Sequence, residues 1–272
     1  MSLLKVKGLS VEYGTGNGIQ RGIKDITFSM TQEDSLGFVG ESGCGKTTLG
    51  MALMGLLPEN AAITKGSICF NGSDITNFNE AQWKNFRGRE ISMVFQAAMN
   101  ALNPVIRVDE QIMEAVRAHN PHMSRAEIYD KTFKLFNMVK IPGERRKDYP
   151  HQYSGGMKQR AVIAMALACD PKLIIADEPT TALDVIVQDQ IIKKIKEIKN
   201  SGSTAVIFIS HDIAVVASIC RDICVMYQGR IVEQGNCIKV LNNPEHPYTK
   251  SLVSSYLTLN SSGQAAGQEK ND

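Results

Sequence analysis

The stretch Ser35-Leu36-Gly37-Phe38-Val39-Gly40-Glu41-Ser42-Gly43-Cys44-Gly45-Lys46-Thr47-Thr48 decides the fold of this 272-residue chain. Its first five residues read as a buried strand, and Thr47 to Leu57 reads as a helix. Between them Gly40, Gly43 and Gly45 permit backbone angles closed to other residues, so that successive N–H groups can turn toward an anion. The positive end of the following helix favours the same charge. Lys46 offers an ammonium for the β- and γ-phosphates of a nucleotide, and the Thr47 hydroxyl suits Mg²⁺. Strand, glycine loop and helix in register make a phosphate-binding loop, with Glu41, Ser42, Cys44 and Thr48 filling out its backbone.

Working outward, composition removes several classes of partner. With 30 basic and 28 acidic residues the net charge is +2, which gives no electrostatic case for nucleic acid. No apolar run approaches the roughly 20 residues that span a bilayer. The N-terminus carries Lys5 and Lys7 inside an alternating strand rather than a signal-peptide pattern, so the chain is expected on the cytoplasmic side. Six cysteines, at 44, 69, 169, 220, 224 and 237, show no Cys-x-x-Cys pair and are expected as free thiols. Cys220 and Cys224 are expected as small apolar residues bordering a core helix and strand. Lys46 and the helix N-terminus are expected to favour a thiolate at Cys44.

Residues 3 to 30 alternate as strands, with Val6, Val11, Tyr13, Ile26, Phe28 and Met30 on one face and Gly14 to Gly22 as the loop between them. Ser67 to Phe70 forms a further short strand ending at the Asn71-Gly72 turn. Uninterrupted apolar runs at Leu36–Val39, Ile91–Phe95, Leu173–Ala176 and Ala205–Ile209 predict parallel strands covered on both faces. The stretch from about 97 to 168 reads as wholly helical, and Ser124-Arg125-Ala126-Glu127 is a capping box opening a helix that carries Ile128, Phe133, Leu135, Phe136 and Val139. Ile223 to Gly235 reads as a hairpin, and residues 258–272 read as a disordered tail. Leu173 to Ala176 ends in Asp177 and Glu178, at the carboxyl end of a strand where parallel sheets bind ligands. Asp177 suits a magnesium shell and Glu178 suits polarising a water.

These motifs, together with Tyr153-Ser154-Gly155-Gly156-Met157, resemble the ATP-binding-cassette ATPases over nearly the whole chain. The resemblance implies a P-loop, RecA-like α/β core with a mostly parallel sheet, a small antiparallel β subdomain and a helical subdomain. It also implies roles. Tyr13 would stack on adenine, and Gln96 would be the Q-loop glutamine at phosphate and metal. Ala182, Leu183 and Asp184 would form the D-loop, and His211 would be the switch histidine. Ser154, Gly155, Gly156 and Met157 would cap ATP held by the phosphate loop of a second subunit. Tyr153 and Met157 depart from the usual leucine and glutamine.

Three segments narrow the subfamily: Pro150 to Arg160, Phe95 to Pro104, and His246-Pro247-Tyr248-Thr249 resemble the oligopeptide, dipeptide and nickel importer ATPases. That resemblance implies ATP and Mg²⁺ as cofactors and a second ATPase subunit, a heterodimer in preference to a homodimer. It implies two membrane permeases, an extracellular substrate-binding protein and a place at the cytoplasmic face of the membrane. Peptides are the expected cargo and nickel or another metal chelate the alternative. Longer members carry a cysteine-bearing C-terminal region, so no iron–sulfur cluster is expected here. Among cassettes outside transport, the DNA-repair and chromosome-organising type carries a coiled coil between loop and signature. Here Ser154 follows Lys46 by 108 residues without heptads. A soluble cassette for cluster assembly or scaffolding is the remaining alternative.

Overall fold

The computed structural model of the chain describes residues 2–16, 18–95, 101–180, 184–200, 202 and 204–255. Two sheets and a helical region are built around the phosphate loop. The alternating N-terminal segment forms β1 (Leu4–Thr15) and β2 (Gly18–Met30), which pair antiparallel with Leu4 opposite Met30 and Val6 opposite Phe28. With β4 (Ala61–Phe70) and β5 (Ser73–Asp74) they make a four-stranded sheet of order β2-β1-β4-β5. The stretch Gly14–Gly22 is therefore not a loop. Both strands run on through it to the pair Thr15–Gly18, because register shifts after Val6, Leu9 and Val11 absorb the break in alternation.

The second sheet has six strands in the order β10-β9-β3-β8-β7-β6, formed by β3 (Ser35–Val39), β6 (Ile91–Val94), β7 (Leu173–Asp177), β8 (Ala205–Ser210), β9 (Asp222–Tyr227) and β10 (Arg230–Asn236). All of its pairings are parallel except β9 with β10. The segment expected as a hairpin forms one, β9 pairing antiparallel with β10, and β9 is in addition a full member of this sheet, hydrogen-bonded to β3. Its apolar interior, Ile223 to Met226, is buried on both faces, which makes it a central strand.

Alternate residues of these strands enter two different cores. Val94, Ala176, Val206 and Phe208 pack toward the helices, whereas Phe38, Ile175, Ile207 and Ile209 pack toward the antiparallel sheet and its Val6, Leu9 and Phe28. Each such buried side chain contributes roughly 1.5–3 kcal/mol relative to exposure. The helices are α1 (Lys46–Leu53), α2 (Glu80–Phe86), α3 (Val108–His119), α4 (Arg125–Met138), α5 (Gly155–Ala166), α6 (Val185–Asn200), α7 (Ile213–Ile219) and α8 (Cys237–Asn242). Helix α4 starts at the expected capping box, with the Glu127 amide donating to Ser124 Oγ at 3.3 Å and the Ser124 amide to Glu127 at 2.7 Å. Phe133 on that helix is 41% exposed rather than core, and lies beneath the Arg146 guanidinium. Helix α2 has its own capping box, Asn79 with Gln82, which sequence reading passed over. Its Trp83 and Phe86 join Phe70 and Phe78 in edge-to-face contacts. Cys220 and Cys224 are both buried, Cys220 after α7 in the core under the helices and Cys224 on β9 in the core shared with the antiparallel sheet.

Candidate functional site

Strand order brings the candidate residues together. β3 and β7 flank β8, so three neighbouring carboxyl ends carry the phosphate loop, Asp177-Glu178 and His211 side by side. Within the loop Gly45 stands at φ 106° as the N-cap of α1. A Cβ there would fall 2.6 Å from Ile23 and 2.7 Å from the Gly22 carbonyl, so both conformation and space exclude a side chain. Lys46 is buried, and its Nζ donates to the carbonyls of Gly40 at 2.6 Å and Glu41 at 2.9 Å. The ammonium is therefore held inside the ring of loop amides, where an anion would meet it.

Cys44 behaves differently from expectation. Its thiol is 6% exposed and burial pushes its pKa up, outweighing the nearby Lys46 ammonium, whose Nζ lies 3.7 Å from Sγ. Sequence shows the cation two residues away but not the apolar wall around the sulfur. Iodoacetamide at pH 7 should accordingly label Cys44 in the native chain more slowly than free cysteine, with peptide mapping as the readout; faster labelling would mean that the lysine dominates after all.

Asp177 closes β7 with 1% exposure. Burial raises its pKa and Glu178 adds to the rise, against the Thr47 hydroxyl and Lys46, which lower it. Its Oδ1 is buried without a hydrogen-bond partner among the described residues. An unpaired buried carboxylate oxygen beside the Thr47 hydroxyl is a hard, oxygen-only donor set, which fits Mg²⁺ held partly by substrate phosphates. Glu178 sits at φ 45°, a left-handed conformation that costs roughly 1–3 kcal/mol in a residue with a side chain. Its amide donates to the Ile209 carbonyl at 2.9 Å, and its Oε1 lies 3.3 Å from His211 Nδ1. The strained backbone thus aims an almost buried carboxylate at an exposed imidazole on the next strand end.

Tyr13 comes to the same place from β1. Its hydroxyl lies 2.9 Å from Thr48 Oγ1, and its ring lies against Gly22, where a Cβ would meet Tyr13 Cε2 at 2.5 Å. A groove of about 430 Å³ runs from Tyr13 across Ser42–Gly43 and Gly45–Thr48 to Glu178, with Gln20 and Arg21 on its rim. Sequence reading missed these last two because it placed them in a loop; the continuation of β2 carries them to the groove.

Ser154 to Met157 lie elsewhere. Ser154 is the N-cap of α5 and accepts the Met157 amide at 3.3 Å, which leaves its hydroxyl hydrogen free to donate. Gly156 has no room for a side chain, since a Cβ would stand 2.5 Å from Val187 on α6. None of these residues lines the groove over Lys46. Tyr153 is buried and donates its hydroxyl to the Arg145 carbonyl at 3.0 Å, so the departure from leucine serves packing of the helical region. Asp184 caps α6 by accepting the Val187 amide at 2.9 Å, and Val185 and Ile186 beside it are 81% and 73% exposed. Gln96, Ala182 and Leu183 lie outside the described residues, as do residues 258–272.

Comparison with known proteins shows the family. Residues 23–181 match the family described as ABC transporter, and residues 232–271 match that described as oligopeptide/dipeptide transporter, C-terminal region. The chain is 47% identical over 265 residues to the oligopeptide transport ATP-binding protein OppD of Escherichia coli, covering 97% of this chain and 78% of that one. It is 44% identical over 262 residues to the dipeptide transport ATP-binding protein DppD of Lactococcus lactis, covering 96% and 75%. Among solved structures it resembles the dimeric ATP-binding cassette MJ0796 in a post-hydrolysis state bound to ADP and Pi, at TM-score 0.77 and 25% identity over 86% of this chain and 98% of that one. It also resembles cbiO1 from Clostridium perfringens, part of the cbiONQ ABC transporter complex, at TM-score 0.75 and 27% identity over 89% and 91%. The chain belongs to the ABC transporter family, as one of its ATP-binding and ATP-hydrolysing subunits.

Proposed function

We propose that this chain powers the import of di- and oligopeptides, closing on ATP against a second cassette subunit and reopening after hydrolysis. The match of residues 232–271 to the oligopeptide/dipeptide C-terminal region carries the peptide reading, and the names of the relatives agree with it. Lys46 and the amides of Gly43 to Thr48 hold the phosphates, and Tyr13 stacks on adenine. Thr47, Asp177 and Gln96 would hold Mg²⁺, which when bound neutralises phosphate charge as the terminal phosphoryl group leaves. Glu178 takes the proton of the attacking water, and His211 holds that carboxylate in place.

Ser154, Gly155, Gly156 and Met157 cap the ATP of the partner subunit, and Ala182, Leu183 and Asp184 line the same junction. Two observations support this: the signature lies outside the Lys46 groove, and the exposed Val185 and Ile186 adjoin the Val187 that packs on Gly156. The partner would be a different ATPase chain. Two permeases and an extracellular binding protein complete the assembly, with this chain at the cytoplasmic face. Among the described residues no helix is long and apolar enough to cross a membrane, so attachment would run through the permeases. The Gln96 loop and the helical region behind it would couple phosphate to permease.

The test is a set of dissociation constants for the binding protein that co-purifies with the assembly. Short peptides should bind at micromolar concentrations or below and nickel chelates should not. Nickel binding without peptide binding would overturn the peptide reading and leave the ATPase untouched.

A further inference from the structure

The His-Pro-Tyr segment, useful above only as a family marker, reaches the phosphate loop. The Glu41 amide donates to the Tyr248 hydroxyl at 2.9 Å, across 207 residues of sequence. Tyr248 is itself built into place. Its ring stacks on Tyr227, at the end of β9, with centroids 4.3 Å apart. Its own amide donates to His246 Nδ1 at 3.2 Å, which fixes the turn that presents the ring. That turn is anchored on β10, where Glu233 accepts the amides of Glu245 at 2.9 Å and His246 at 3.0 Å. Burial acts to raise the Glu233 carboxyl, yet these amides hold it below its usual range, as a carboxylate acceptor. The turn between β9 and β10 adds a second tie, from the Gly229 amide to the Cys44 carbonyl at 3.1 Å.

We propose that Tyr248 is a positioning residue for the phosphate loop: its hydroxyl, seated by the His246 turn and the Tyr227 ring, holds the Glu41 amide and so keeps the Lys46 cradle in shape for phosphate. The physical reason lies in the loop itself. Lys46 Nζ bonds to the carbonyls of Gly40 and Glu41, so the peptide units on either side of the Glu41 Cα carry the cradle. An amide left unpaired at Glu41 would let these units rotate and would disperse the loop among shapes of which few fit an anion. The Tyr248 hydroxyl bears on the loop backbone at Glu41, so its effect falls on binding and not on the chemical step.

The proposal rests on Lys46 and its loop being the ATP site. Tyr248→Phe keeps the ring and removes the hydroxyl, and is measured in the full transporter assembly. The KM for ATP should rise about two- to tenfold, the worth of one hydrogen bond, with kcat within about twofold of wild type. Hydrogen exchange in a peptide covering residues 40–46 should quicken in the same variant. An unchanged KM, or a fall in kcat with KM unmoved, overturns the role given to Tyr248. Lys46→Ala separates the two layers: if that variant binds ATP like wild type, the site reading itself fails, whereas loss of binding there beside an unchanged Tyr248→Phe condemns the tyrosine proposal alone.

Discussion

Glu178→Gln should lower ATP turnover of the assembled transporter by about 10²- to 10⁴-fold while leaving nucleotide binding intact. At roughly 1.4 kcal/mol per decade this is a barrier increase of about 3–5.5 kcal/mol. The substitution is close to isosteric, so the left-handed backbone at φ 45° and the amide bond to Ile209 persist. What changes is basicity: an amide oxygen cannot accept the proton of an attacking water. Binding should hold or tighten, because one negative charge leaves the neighbourhood of the phosphates while Lys46 stays. His211 loses its charged partner at 3.3 Å but is itself largely exposed, so little stability goes with it. Paired measurements of turnover and of nucleotide affinity read both halves. Wild-type hydrolysis by Glu178→Gln would falsify the assignment of Glu178 as base.

The site was legible in sequence wherever the chemistry is local. The phosphate loop needs glycines at three near positions, and the acidic pair needs only to follow an apolar strand. The capping box of α4 is a four-residue signal, and it held. What could not be read depends on burial or on long-range pairing. Cys44 shows the first failure, since the neighbouring lysine is visible in sequence and the desolvating wall is not. β9 shows the second: the hairpin with β10 was legible, but its place beside β3 was not, because it depends on the long-range pairing of Leu36 with Asp222. Strand order is also what sets His211 next to Glu178, since β8 lies between β3 and β7. The resemblance gave both residues a role, but their adjacency follows from the strand order alone. Tyr248 stands furthest from legibility, because the family mark it belongs to carries no hint of a contact with Glu41.

Lys46→Ala should cost nucleotide affinity about 100-fold or more, because it removes the cation that meets the phosphates. Two charge-assisted hydrogen bonds of roughly 1.5–3 kcal/mol each would be lost to the β- and γ-phosphates. Every 1.4 kcal/mol is about tenfold in affinity. The apo chain responds in the opposite sense to a simple loss of contacts. Lys46 is 5% exposed, and its bonds to the Gly40 and Glu41 carbonyls disappear with it, yet a costly buried charge also goes. Asp177 then loses one of the influences that lower its pKa, and burial and Glu178 drive it further toward the neutral acid. A carboxylate that holds its proton more tightly competes less well for a metal, so the metal half of the site weakens along with the phosphate half. Melting temperature against ATP concentration separates binding from folding. Wild type should gain stability as RT ln(1 + [ATP]/Kd), while Lys46→Ala should melt at nearly one temperature throughout. A variant that climbs with the wild-type slope would overturn the loop around Lys46 as the ATP site, whatever its melting temperature without ATP.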